Sequence, residues 1–329
     1  RGSLTLSLED SGAQASWYAR QVMFVPKIKT PEQRLAEIDN VTNEDIKRVA
    51  KQIFKWDKMR VAVIGATGFI GKHVVNKLLN QHSVEVFAIS RQYNEHNKKE
   101  KNISYVNIDI GQPPDDIFKV IGSPDVVIHL AWENLANYKA LQHFEIELSK
   151  HYNFLKKLIN DGLRNLIVTG TCFEYGLQFG ALSADLNTNP ITPYGFAKDT
   201  LRRQLEFLQL EHNYNLSWAR LFYIFGEGQP DKALFSQLIK SIKNKEKSFN
   251  MSGGQQIRDY LPVTEVASQL VDLSITSKNN GVLNICSEEP QLLVNIVKKW
   301  IVESSSTIEI NLGYYPYKNY EPMNFWGVK

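Results

Sequence analysis

From Arg60 onward, short unbroken apolar runs alternate with stretches whose apolar residues recur every three or four positions. Arg60-Val61-Ala62-Val63-Ile64 reads as a buried strand, and Ile70, Val74, Val75, Leu78 and Leu79 as one face of the helix that follows. Val84–Ser90 supplies a second strand, a third ends at Asp109-Ile110, and Val126–Ala131 and Leu166–Thr169 supply two more. Helical patterns run from about Tyr138 to Asn160 and over 194–212. Strands alternating with helices predict an α/β fold with a doubly wound, mainly parallel sheet. Residues 1–58 are instead helical throughout. Thr30-Pro31 is a helix start, and Thr42-Asn43-Glu44-Asp45 forms a capping box ahead of apolar Ile46, Val49, Ile53 and Phe54. The change of pattern falls at Asp57–Arg60.

Between the first strand and its helix stands Gly65-Ala66-Thr67-Gly68-Phe69-Ile70-Gly71. A glycine-rich turn there lets backbone N–H groups approach a pyrophosphate at the positive end of a helix, and Gly71 lets that helix sit close to the sheet. The second strand follows at βαβ distance, which marks a Rossmann-type unit. An NAD site usually ends that strand in Asp or Glu, to accept from the adenosine ribose; this chain has Ser90-Arg91. A hydroxyl and a guanidinium suit a 2′-phosphate, so NADPH is expected over NADH. Lys98, Lys99 and Lys101 read as solvated charges, and Asp109-Ile110 is placed to meet adenine. The regions are then a helical appendage over 1–58, a dinucleotide-binding domain over 59–220, and a substrate-binding region over 221–329 that partly returns to the sheet near 258–287.

The strand at Leu166–Thr169 leads into Gly170-Thr171-Cys172-Phe173-Glu174-Tyr175-Gly176, and Tyr194 and Lys198 come shortly after. Positions i and i+4 share a helix face, so Tyr194 and Lys198 are expected in one site, the ammonium lowering the phenol pKa for proton transfer, beside the Thr171 hydroxyl.

Composition narrows the function classes. The 329 residues carry 38 basic and 35 acidic side chains, a net +3, with 43% hydrophobic residues. That is enough for a full core and too balanced for a nucleic-acid partner. No apolar stretch approaches the roughly 20 residues of a membrane span, so no membrane partner and a cytoplasmic location are expected. Cys172 and Cys286 match neither a CxxC motif nor a disulfide framework, and no metal site is expected. The helices at 138–160 and 194–212 have apolar positions to spare for a homodimer seam.

These motifs resemble the extended short-chain dehydrogenase/reductase family, in particular its nucleotide-sugar epimerases, dehydratases and reductases. The likeness spans Met59 to about Trp326 and rests on GATGFIG at 65–71, DI at 109–110, HLAW at 129–132, GTCFEYG at 170–176, PYGFAK at 193–198, ARLFYIFG at 219–226 and IRDY at 257–260. It implies Thr171, Tyr194 and Lys198 as the catalytic triad. It places Gly65, Thr67, Gly68, Phe69, Ile70, Gly71, Ser90, Arg91, Asp109, Ile110, Leu130 and Ala131 on the cofactor. It puts Trp132, Glu174, Tyr223 and Arg258 on a nucleotide-sugar substrate, with Arg258 aimed at the diphosphate and the segment from about Leu221 to Asn250 framing the sugar nucleotide; a salt bridge to Asp259 is the alternative role for that arginine.

The departures from the pattern select the chemistry. Sugar-nucleotide 4,6-dehydratases carry an Asp-Glu pair after the catalytic Ser/Thr, and here Cys172 and Phe173 stand there. The 3,5-epimerase/reductases place a cysteine where this chain has Phe173; Cys172, one step off, reads as a packed residue. Glu147 replaces an asparagine of the long helix, and Tyr223 replaces the asparagine of an RxFNxxG pattern. The end at Phe325-Trp326-Gly327-Val328-Lys329 implies a C-terminal edge shorter than that of typical members. The simplest remaining reaction is NADPH-dependent reduction of the 4-keto group of a dTDP- or CDP-linked 4-keto-6-deoxyhexose. The alternatives are a UDP-hexose 4-epimerase with bound NAD and, in a different class, an NADPH-binding regulatory protein without turnover. Residues 7–56 resemble a fragment of the insulinase-like (pitrilysin family) zinc peptidases, but the chain has no HxxEH motif and no protease activity is implied.

Overall fold

The computed structural model describes residues 10–24, 28–53, 58–81, 83–93 and 102–329; Phe54, Asp57, Lys98, Lys99 and Lys101 lie outside them. The chain separates into two compact units, Arg1–Asp57 and Lys58–Lys329. The first holds helices α1 (Ser11–Phe24), α2 (Pro31–Asp39) and α3 (Asn43–Ile53). The Gln21 side chain brackets Lys29, donating to its carbonyl at 2.9 Å and accepting from its N–H at 2.8 Å. Thr30 and Gln33 cap α2 reciprocally, and Thr42 and Asp45 do the same for α3, so two orphan donors are satisfied at each start.

The second unit is built on strands β1 (Met59–Ile64), β2 (Val84–Ser90), β3 (Ile103–Asn107), β4 (Val126–His129), β5 (Asn165–Thr171), β6 (Asn215–Leu221) and β7 (Gly281–Ile285). They form one sheet in the order β7-β6-β5-β4-β1-β2-β3, and every pairing is parallel. The order reverses between β1 and β4, which opens a crevice beyond the carboxyl ends of those strands. Continuous apolar runs follow from burial on both faces. Ala62 and Ile64 of β1 join Phe154, Leu158, Leu201 and Trp218 on one side; Val61 and Val63 join Val74, Leu78, Val266 and Leu270 on the other.

The first face is covered by α6 (Leu148–Asn160) and α7 (Pro193–Leu208), with the short α5 (Ile117–Val120) at its edge. The second is covered by α4 (Phe69–Leu79) and α9 (Val263–Thr276). The helix expected from Tyr138 begins instead at His143, with a π-helical turn over His143–Glu147. Tyr138 stays outside because its carbonyl accepts from the Tyr194 N–H, at 3.2 Å, and so closes the start of α7. That helix ends at Leu208, short of the expected 212, where turns take over.

After β6 the chain builds a smaller layer. Tyr223–Phe225 pairs with Tyr260–Pro262, Ser248–Asn250 with Glu309–Asn311, and Ile257–Arg258 with Gln291–Leu292. Helices α8 (Leu234–Lys243) and α10 (Leu293–Glu303) close a core of Leu238, Phe249, Val297 and Trp300. Between them β7 returns to the main sheet. Among the described residues, no helix is long and apolar enough to cross a membrane, and no group of three or more His, Cys, Asp or Glu is placed to hold a metal ion.

Candidate active site

The crevice at the strand ends is a cleft of about 1040 Å³. Its floor is the glycine turn: Gly65, Thr67, Gly68, Phe69, Ile70 and Gly71 all line it. The turn is built for close approach. Gly65 has φ +88°, and a Cβ there would stand 2.9 Å from the Ala131 backbone nitrogen. A Cβ on Gly71 would stand 2.1 Å from the Gly65 carbonyl oxygen, so α4 can start this close to the turn only without a side chain. The start of α4 lines the cleft, and a helix N-terminus at this position can seat a dinucleotide pyrophosphate.

The adenosine side is formed by the ends of β2 and β3. Ser90 and Arg91 line the cleft, Ser90 bonding the Gln92 carbonyl and Arg91 pairing with Glu133 at 3.0 Å. Ile110 lines it as well; Asp109 does not, and one oxygen of its carboxylate accepts from the Gly111 N–H at 2.8 Å. Leu130, Ala131 and Trp132 continue the wall beyond β4.

Thr171 ends β5 and Tyr194 opens α7, and both side chains line the same cleft. Burial pushes the Tyr194 phenol above its usual range, with Tyr138, Glu174 and Cys172 adding to the rise and the Thr171 hydroxyl opposing it. Lys198 departs from expectation. Its ammonium is buried, donates to the Thr169 carbonyl at 2.9 Å, and lies 4.1 Å from the centre of the Trp132 ring. It does not line the cleft. Burial pulls its pKa down to about 7. Trp132 holds this position by stacking on His151, with centroids 4.4 Å apart, and by donating to His143 Nδ1 at 3.1 Å.

Glu174 also differs from the expected substrate contact. The short helical turn Cys172–Tyr175 turns its carboxylate inward, where it accepts from the Thr171 N–H at 2.8 Å, Trp218 Nε1 at 3.0 Å and Arg220 Nε at 2.7 Å. It is fully buried and lines no part of the cleft. Cys172 is buried beside Tyr175, Leu182, Phe222, Cys286 and Phe325, and its thiol is pushed up to about 12, chiefly by burial.

A second cavity, about 480 Å³, shares Tyr223, Lys232, Tyr260, Lys318 and Glu321 with the first. Arg258 lines this second cavity. Both of its terminal nitrogens are already engaged: one donates to Ile257 O and Met323 O at 2.9 and 2.8 Å, the other to Pro322 O at 2.9 Å and Glu321 at 3.2 Å. Asp259 is not its partner, since that carboxylate accepts from Ser287 and Glu288. Tyr223 donates to Glu321 at 2.5 Å. Sequence reasoning missed Glu133, Tyr138, His151, Lys318 and Glu321 as cleft residues; nothing local in the sequence ties Glu321 to Arg258.

Comparison with known proteins accords with this architecture. Residues 61–286 match the NAD dependent epimerase/dehydratase family. Among curated relatives, the dTDP-6-deoxy-L-talose 4-dehydrogenase (NAD(+)) of Aggregatibacter actinomycetemcomitans is 28% identical over 273 residues, which cover 82% of this chain and all of that one. The GDP-6-deoxy-D-talose 4-dehydrogenase of the same organism is 22% identical over 70% of this chain and 74% of its own. Among solved structures, the UDP-glucuronic acid 4-epimerase of Bacillus cereus, in complex with UDP-glucuronic acid and NAD, superposes with a TM-score of 0.70 at 24% identity, over 82% of this chain and 90% of that one. With most of its second unit inside the family match, from the first sheet strand to the last, the chain belongs to the NAD dependent epimerase/dehydratase family and is an enzyme of that family.

Proposed function

We propose that this protein reduces the 4-keto group of a nucleotide-linked 4-keto-6-deoxyhexose, with a dTDP- or CDP-sugar as substrate, and prefers NADPH to NADH. The observation that carries the reading is the cleft in which Thr171 and Tyr194 stand together beyond the glycine turn, with no acid-base pair at the two positions that follow Thr171. Phe173 is apolar, the Cys172 thiol holds its proton, and Glu174 is turned away onto Arg220. Two relatives named as 4-dehydrogenases of 6-deoxyhexose nucleotides support the position of the chemistry, because dehydrogenation and ketone reduction are one hydride transfer run in opposite directions. The preference for NADPH is supported by Ser90 and Arg91 at the end of β2, where no carboxylate stands.

A bound dihydronicotinamide supplies the hydride. Tyr194 donates its phenolic proton to the carbonyl oxygen, and the Thr171 hydroxyl hydrogen-bonds the same atom. Lys198, one turn further along α7, carries the positive charge that favours the phenolate left behind. The second cavity takes the nucleotide, with Lys232 and Lys318 at its junction with the first; Arg258 reaches the diphosphate only by giving up Glu321. We also assign the protein to the cytoplasm, and as a homodimer; the second assignment is supported by exposed Phe196 and Phe207 on α7 and by exposed Leu141, Ile146 and Leu210 just outside α6 and α7.

The test is isotopic. Deuterated NADPH should place one deuterium on sugar C4 with no solvent deuterium at C3 or C5. Tyr194→Phe should lower kcat/KM by on the order of 10²–10⁴, and Cys172→Ser should change it little. Solvent label at C3 or C5 would indicate dehydration or 3,5-epimerisation, and product formed without cofactor oxidation would indicate 4-epimerisation; either sinks the reading.

A further inference from the structure

The end of β2 offers the adenosine ribose no carboxylate, yet one stands beside it. Glu133, in the loop after β4, puts one oxygen 3.0 Å from Arg91 and the other 2.6 Å from the Lys150 ammonium. Lys150 also pairs with Glu147, at 2.8 Å. The stem of Lys150 runs along Gly111, just past Ile110; a Cβ on that glycine would meet Lys150 Cδ at 3.2 Å. Arg91, Ile110 and Glu133 all face the cleft. The cluster thus occupies the adenosine side of the dinucleotide seat, and its two cations and two carboxylates balance.

From this arrangement we infer that Glu133 is a specificity-determining residue that sets how strongly the protein discriminates between NADPH and NADH. The inference rests on the cofactor site proposed above. A 2′-phosphate arriving at Arg91 competes with Glu133 for the guanidinium N–H groups. A free 2′-hydroxyl meets the reverse situation, because Glu133 is an acceptor beside the position that Asp or Glu at the end of β2 fills in NAD sites. One carboxylate therefore weakens the first cofactor and assists the second. Arg91 is 59% exposed and Glu133 34%, so the pair opens at little cost and the effect is graded, not all-or-none.

Glu133→Gln keeps the shape of the side chain and removes its charge. Fluorescence titration of the full chain with NADPH and NADH, and with 2′,5′-ADP and 5′-AMP as probes of the phosphate alone, reads the outcome. NADPH and 2′,5′-ADP should tighten roughly tenfold, the scale of one charge-assisted hydrogen bond, while NADH and 5′-AMP stay within about threefold or weaken. In an Arg91→Ala background the same substitution should shift the ratio by less than about twofold, because the competition runs through the guanidinium. A ratio unmoved by Glu133→Gln, or a shift that survives Arg91→Ala in full, overturns the inference. An unmutated protein that prefers NADH refutes the NADPH reading alone, since the role of Glu133 is judged on the shift.

Discussion

Replacing Lys198 by methionine should abolish turnover and at the same time stabilise the unliganded protein near neutral pH. The side chain is buried, with the Thr169 carbonyl and the Trp132 ring around its ammonium, and burial brings its pKa from 10.5 to about 7. The sign follows from linkage. Below pH 7 the lysine is charged in both the folded and unfolded chains, and the full burial cost is present. Between pH 7 and 10.5 the unfolded chain holds a proton that the folded one lacks, so the unmutated protein gains stability as pH rises, by about 1.4 kcal/mol per unit at most. Methionine does not titrate. The stability difference between the two proteins should therefore change by about 2–3 kcal/mol from pH 7.5 to 9.5, in favour of lysine as pH rises. Against the relief at pH 7 stands the Thr169 carbonyl left without its donor, about 1–3 kcal/mol, so the net gain there is smaller than the full burial cost. Urea unfolding of both proteins at three pH values measures the difference. A difference constant to within about 0.5 kcal/mol across that window would show that Lys198 keeps an ordinary pKa in the fold, and the reasoning fails.

Two further outcomes follow from the packing. Glu174→Ala should cost about 3–5 kcal/mol in thermal unfolding, because it leaves the buried Arg220 guanidinium without its carboxylate; a loss below about 1 kcal/mol would mean the pair contributes little beyond its own desolvation. Deleting residues 1–58 should leave kcat within about threefold, since every residue lining the cleft lies between Ile64 and Glu321; loss of turnover by a deletion protein that still melts cooperatively would give the appendage a role in catalysis.

Legibility in the sequence tracked the distance over which a feature is determined. The glycine turn, β2 and the α7 start are each specified within a dozen residues by apolar period and steric need, and the residues they carry reach the cleft. The placing of Asp109 and Glu174 was decided on a finer scale. Both sit in motifs at strand ends, but a carboxylate there has a choice between a ligand and a nearby backbone N–H, and local hydrogen bonds to Gly111 and Thr171 decided it. The setting of Arg258 was hidden for the opposite reason. Its partners at 321–323 lie more than 60 positions away, and only the folded chain brings that segment over its guanidinium. The same holds for Glu133, which meets Arg91 because β2 and β4 flank β1.

The environment of Tyr194 bears on the direction of the chemistry. A ketone reduction begins with the acid carrying its proton, whereas oxidation of an alcohol begins with the phenolate. Tyr194 is buried among Tyr138, Phe173 and Trp132, and burial first, with the Glu174 carboxylate adding to it, disfavours a phenolate, so the unliganded site holds the phenol protonated. Lys198, the cation one turn along the same helix, is itself brought to about 7 by burial and lies against Trp132. The pair thus shares a helix face without sharing an environment: the tyrosine rests as an acid, and the lysine near neutrality is poised between its charged and uncharged forms. Ketone reduction starts from this protonated phenol and alcohol oxidation starts from the phenolate, so the same site serves both directions and the cofactor and substrate supplied decide between them.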